Sequence, residues 1–148
     1  AVNKTQFDAK TGQATTTNLG ISRAATQAEV NALTNTTEYV APATAAAAPW
    51  AAKAWVVFDA TGSIKASYNV ASVVRNSVGD FTITFTTAMT SADYCFTGTA
   101  RPTTSDTIVV GAKRGGTLTA GAIQIDCWVA TATPALEDPF RTSLTIFA

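Results

Sequence analysis

From Trp55 onward, large apolar residues alternate with small or polar ones, and clusters of turn formers interrupt the pattern every few positions. That pattern admits short half-buried strands and little else. Phe81, Ile83 and Phe85 alternate with Thr82, Thr84 and Thr86, and Ile64, Ala66, Tyr68 and Val70 alternate with Lys65, Ser67 and Asn69. Further strands are predicted over 54–59, 94–99, 107–113, 122–130 and 142–147, with turns at 60–62, 76–80, 90–93, 101–106, 114–117 and 134–139. Seven or eight such strands with no helix-length segment between them predict an antiparallel β-sandwich and exclude a parallel βαβ sheet.

Composition agrees. The chain holds 29 Ala and 27 Thr but only five Leu, too little branched bulk for a Leu-packed helical bundle. Ten Lys and Arg balance ten Asp and Glu, so neither a nucleic-acid partner nor an anionic membrane surface is favoured. No apolar run approaches the ~18 residues of a membrane span. Histidine is absent, which removes the commonest general base, the Ser-His and Cys-His pairs and the usual zinc ligand. Cys95 and Cys127 are too few and wrongly spaced for a zinc site; a disulfide remains open, and buried free thiols are the favoured reading.

Residues before 55 follow different rules. The stretch 25–33 reads ATQAEVNAL, in which Thr26 and Glu29 have the spacing of a capping box, so a helix is expected from Gln27 to Leu33. Asn35, Thr36 and Thr37 suggest a turn, and Pro42 suits the first turn of a second helix that runs to Ala48 and stops at Pro49. Helices this short are marginal alone, and the segment has few large apolar residues, so its ordering cost of ~1–2 kcal/mol per residue must be offset by surface from elsewhere. The organisation expected is an extended lead-in over 1–24, a short-helix collar over 25–54 and a β-sandwich over 55–148.

The segment 25–44, ATQAEVNALTNTTEYVAPAT, resembles the ATQAEVNAGTNTTKYVTPAT element of bacteriophage tail fibres, where it precedes the C-terminal knob. ASYNVASV at 66–73, GDFTITFTTAM at 79–89, ADYC at 92–95 and the closing RTSLTIFA are similar to terminal domains of such fibres. This chain departs from the element at Leu33, Glu38, Ala41 and Ala45, where Gly, Lys, Thr and Leu are usual, so its first helix stop and second helix cap should be weaker. The resemblance implies an intertwined homotrimer in which an extended shaft and collar lead to the knob. The function implied is host attachment, without catalysis or cofactor, at the distal part of a virion tail fibre. The implied partners are a bacterial surface receptor, commonly a glycan, and other tail proteins upstream, since the start reads as lying inside a longer protein.

Val30, Leu33, Tyr39, Val40 and Trp50 are then expected to line the threefold axis, with the small residues 43–48 allowing close approach. Receptor contact is expected from loops on the rigid sandwich. The candidates are Arg101 and Asp106 in RPTTSDT, and Lys113 and Arg114 before Gly115, with 76–80 and 137–140 as rivals. Trp128 lies opposite Ile123 and Ile125 in alternation, so it faces a neighbouring subunit, a sugar or solvent. A purely structural trimerisation or attachment role is the alternative. Polysaccharide cleavage is the remote one, because nothing in the spacing of Asp80, Asp93, Glu137 and Asp138 sets two carboxylates across a cleft.

Overall fold

The structure is a computed structural model that describes residues 24–33, 39–103 and 107–148. Two compact units divide at residue 51. All of the expected lead-in but Ala24, and the turn at 35–37, lie outside the described residues.

In the first unit, α1 (Gln27–Ala32) starts on the expected capping box: Glu29 N–H donates to Thr26 Oγ1, and Thr26 N–H donates to Glu29 Oε2 at 2.8 Å. It ends one residue early because Leu33 turns left-handed at φ 54°, the position where a glycine is least strained. The second helix, α2 (Pro42–Ala47), has proline in its first turn and no side-chain cap from Ala41. Ala25, Val30 and Ala48 form a small buried cluster, and Ala25 N–H donates to the carbonyl of Tyr39.

The second unit is mainly β, with two antiparallel sheets packed face to face. Its strands are β1 (Ala54–Asp59), β2 (Ile64–Tyr68), β3 (Val70–Ser77), β4 (Asp80–Phe85), β5 (Cys95–Arg101), β6 (Ile108–Ala112), β7 (Leu118–Thr119), β8 (Ala122–Val129), β9 (Ala135–Leu136) and β10 (Arg141–Phe147). One sheet runs β2-β1-β10-β5. The other runs β3-β4-β8-β6, with β7 and β9 also paired to β8. Alternation sends Val56, Phe58, Leu144 and Ile146 inward from the first sheet, and Phe81, Ile83, Ile123, Ile125 and Cys127 inward from the second. Phe58 meets Phe81 across the gap with ring centroids 5.0 Å apart. Each such side chain taken fully out of water contributes ~1.5–3 kcal/mol, and that burial stabilises the sandwich.

Three expectations about the strands need correction. Residues 64–70 are not one strand. The chain breaks at Asn69, φ 54°, and changes sheet there, held by Asn69 Nδ2–H bonds to the carbonyls of Lys53 and Thr87 and by Thr87 N–H to Asn69 Oδ1. Residues 70–77 form a strand that the alternation did not reveal: β3 is an edge strand with adjacent Val73 and Val74 and a register shift near each end, so it lacks period two. The expected turn at 76–80 shrinks accordingly to Val78 and Gly79. The third correction is that Cys127 is buried, as expected, whereas Cys95 is exposed at the start of β5; both are free.

Candidate functional site

The chain enters the sandwich at the Ala54 end of β1, and Phe147 pairs with Cys95 at that same end. The opposite end is built by the connections β1–β2, β3–β4, β5–β6 and β8–β10. In the first, Asp59 Oδ1 accepts from Thr61 N–H (2.9 Å), Thr61 Oγ1–H (2.6 Å) and Ser63 N–H (3.1 Å), while Oδ2 meets Lys65 Nζ at 2.7 Å. These donors, Lys65 first, hold the Asp59 carboxyl well below the usual carboxylate range.

The other three connections join into one rim. Arg75 of β3 grips Asp138 in a fork, with Nε 3.0 Å from both carboxylate oxygens, and Gly79 N–H donates to Asp138 Oδ1 at 2.9 Å. A Cβ at Gly79 would stand 2.5 Å from the Cys127 carbonyl oxygen, so glycine lets the β3–β4 turn close onto the 135–138 segment. Thr103 Oγ1–H donates to Glu137 Oε1 at 3.2 Å. The Phe140 ring, 48 % exposed, lies under two guanidiniums, Arg101 Cζ 5.2 Å and Arg141 Cζ 5.8 Å from its centroid.

The rim therefore brings Arg101 together with 137–140 and with the shortened 78–79 turn, regions that the sequence presents as competitors. Asp106 lies outside the described residues. Arg114 is not part of the rim: it stands in the turn after β6, and the five residues of β6, Ile108–Ala112, carry it ~17 Å along the strand at ~3.3 Å per residue. Arg75 and Arg141 are rim residues that the sequence reading missed, while Asp138 falls within its rival segment 137–140. For Arg141 the signal was present, because alternation from Leu144 and Ile146 already puts Arg141, Ser143 and Thr145 on the outer face.

Lys113 belongs to a second polar group, on the outer face of the β3-β4-β8-β6 sheet. Asp80, only 3 % exposed, is ion-paired to Lys113 and accepts from Asn76 Nδ2 (2.9 Å) and Gln124 Nε2 (2.7 Å). Burial alone would push the Asp80 carboxyl up, but these donors outweigh it and hold the group below its ordinary value. Asp126, directly opposite Asp80 in register, goes the other way, raised by burial and by the Asp80 charge against the pull of Lys113. Lys113 is thus the counter-charge of a carboxylate pair and not a free cation offered to a ligand. Trp128 lies next along β8, half-buried over Gly111, where a Cβ would come within 3.1 Å of the indole Cη2. Its outward placement agrees with the alternation.

Of the expected axis residues, Val30 is 4 % exposed within its own chain and has no surface left to give a neighbour, which corrects its assignment; Leu33 at 72 %, Tyr39, Val40 and Trp50 are exposed. Among the described residues, no three His, Cys, Asp or Glu side chains gather as metal ligands would, and no helix is long and apolar enough to cross a membrane. Comparison of the chain with protein-family models, with curated proteins and with solved structures finds no match.

Proposed function

We propose that this chain is the receptor-binding end of a bacteriophage tail fibre. In this reading it is a non-catalytic homotrimeric adhesin at the distal part of the virion's fibre, which attaches to a bacterial surface glycan or protein. The observation that carries the reading is the collar. The tail-fibre-like segment forms its capping-box helix, yet among the described residues of 24–51 the buried apolar ones are Ala25, Val30 and Ala48, while Leu33, Tyr39, Val40 and Trp50 stay in water. Six-residue helices with so small a core gain their stability from further packing, which sister chains would supply. The rim at one end of the sandwich, where Arg75 and Gly79 bond Asp138 and Thr103 bonds Glu137, supports the adhesive half of the reading, because recognition residues sit on such loops.

The test is binding of the fluorescently labelled protein to a panel of bacterial strains, with competition against phage adsorption on the strain that binds. Saturable binding that blocks adsorption is expected. A protein that trimerises but neither binds cells nor competes is a structural trimerisation or attachment module.

A further inference from the structure

The rim end of the β2-β1-β10-β5 sheet carries a row of charged side chains across its outer face. Asp59 is the register partner of Arg141, and Arg141 is the partner of Arg101, while Lys65 reaches Asp59 from β2. The next row inward is Val57, Ser143 and Thr99. The order of charges is therefore plus, minus, plus, plus, bordered by hydroxyls.

The single carboxylate in that row is not available to the arginines. Both Asp59 oxygens are occupied by Lys65 and by the Thr61 and Ser63 donors of its own turn. Glu137, in the adjoining loop, takes a hydrogen bond from Thr103. Among the described residues neither Arg101 nor Arg141 has an ion pair or a hydrogen-bond acceptor for its guanidinium; each rests only on the Phe140 ring. Like charges placed directly opposite on antiparallel strands destabilise a sheet, and one exposed ring offsets only part of that repulsion. Two forked donors and an exposed aromatic face are thus held together with no anion paired to them among the described residues.

We propose that Arg101, Phe140 and Arg141 form a binding site for an acidic saccharide, one that carries a carboxylate or a phosphate. The guanidiniums take the acid group in forked hydrogen bonds, the Phe140 ring meets the apolar face of the sugar, and Ser143 and Thr99 border the site with hydroxyls. A neutral sugar leaves both arginines uncompensated, so the geometry selects for charge. This assignment rests on the adhesin reading and specifies the class of glycan recognised.

Calorimetric titration of the whole protein with tri-galacturonate, mannose 6-phosphate, maltotriose, inorganic phosphate and a single-stranded oligothymidylate tests it. The acidic sugars should bind at least about tenfold more tightly than maltotriose, a preference that weakens with added salt. The R101Q/R141Q double variant should lose that preference with its thermal midpoint unchanged. Arg101→Lys, which keeps the charge without the fork, should lose about three- to fivefold and serves if the double variant does not fold. Phe140→Leu should weaken tri-galacturonate and leave inorganic phosphate unaffected. Equal binding of acidic and neutral sugars, or a folded double variant that retains the preference, overturns the site. Phosphate or oligothymidylate bound as tightly as tri-galacturonate reduces it to a general anion site and overturns the saccharide assignment. Cell binding separates the two proposals. If the double variant adheres to bacteria as well as the parent protein, the site fails and adhesion stands. If the parent binds tri-galacturonate in an arginine-dependent way but adheres to no strain, adhesion alone fails.

Discussion

Gly79 shows how much one position can carry. Its φ of 67° is in the left-handed region, its N–H serves Asp138, its carbonyl accepts from Cys127 N–H at 2.7 Å, and a methyl group there would collide with main-chain atoms on two sides. Gly79→Ala should therefore cost about 3 kcal/mol, read as a fall in the urea midpoint, because strain and lost hydrogen bonds add. Asp59, Asp80 and Asp138 together set the acid limit. A carboxyl held low in the fold contributes stability while ionised, so Asp80 and Asp138 contribute above the unfolded carboxylate value of ~3.9 and that contribution is lost as pH falls below it. Asp126, raised, has the opposite sign: its contribution is present below ~3.9 and lost as pH rises through its folded value. Thermal midpoints measured against pH should be flat near neutrality and drop below about pH 4, and Asp80→Asn should reduce that drop, leaving the part that Asp59 and Asp138 contribute, while costing about 2 kcal/mol at pH 7, since Lys113 loses a charged hydrogen-bond partner. The two thiols divide by environment, Cys127 being pushed up to about 11 by burial while Cys95 meets solvent.

At the scale of elements, α1 depends on its start. Thr26→Ala removes the acceptor for Glu29 N–H and should lower stability by about 1 kcal/mol, measured by the loss of helical signal on heating. This helix and the central strands were legible in the sequence because each carries its own local signature: Thr26 and Glu29 for the cap, strict alternation for β4, and for β8, whose burial alternates at every residue. What was not legible depends on partners far along the chain. β3 is a strand because β4 lies beside it, β7 and β9 have two residues each and exist only as additions to β8, and the break at Asn69 is fixed by carbonyls 16 and 18 residues away. The rim was half legible. The sequence marks Glu137 as a loop residue but puts Arg101 in a turn, whereas it is the last residue of β5, and the bridge from Thr103 to Glu137 and the Arg75–Asp138 fork span more than thirty and sixty positions, so that no local pattern encodes them.

For the whole molecule, the exposed collar residues set the oligomeric expectation. Sedimentation equilibrium should give a mass near three times 15.3 kDa, and the joint Tyr39→Ser and Trp50→Ser change should shift it toward one chain by removing large apolar groups that a single copy leaves in water. A monomer at micromolar concentration would remove the basis for the trimer. The position of β1 has a separate, mechanical consequence. It is an inner strand, laddered on both edges by β2 and β10, and the chain is led into it from the end remote from the rim. Tension between residue 52 and an anchored rim would therefore run along the strand axes and load both ladders in shear, so that many bonds must yield together and none can be peeled away in sequence. In the proposed adhesin, wiring of this kind would let so small a domain bear load.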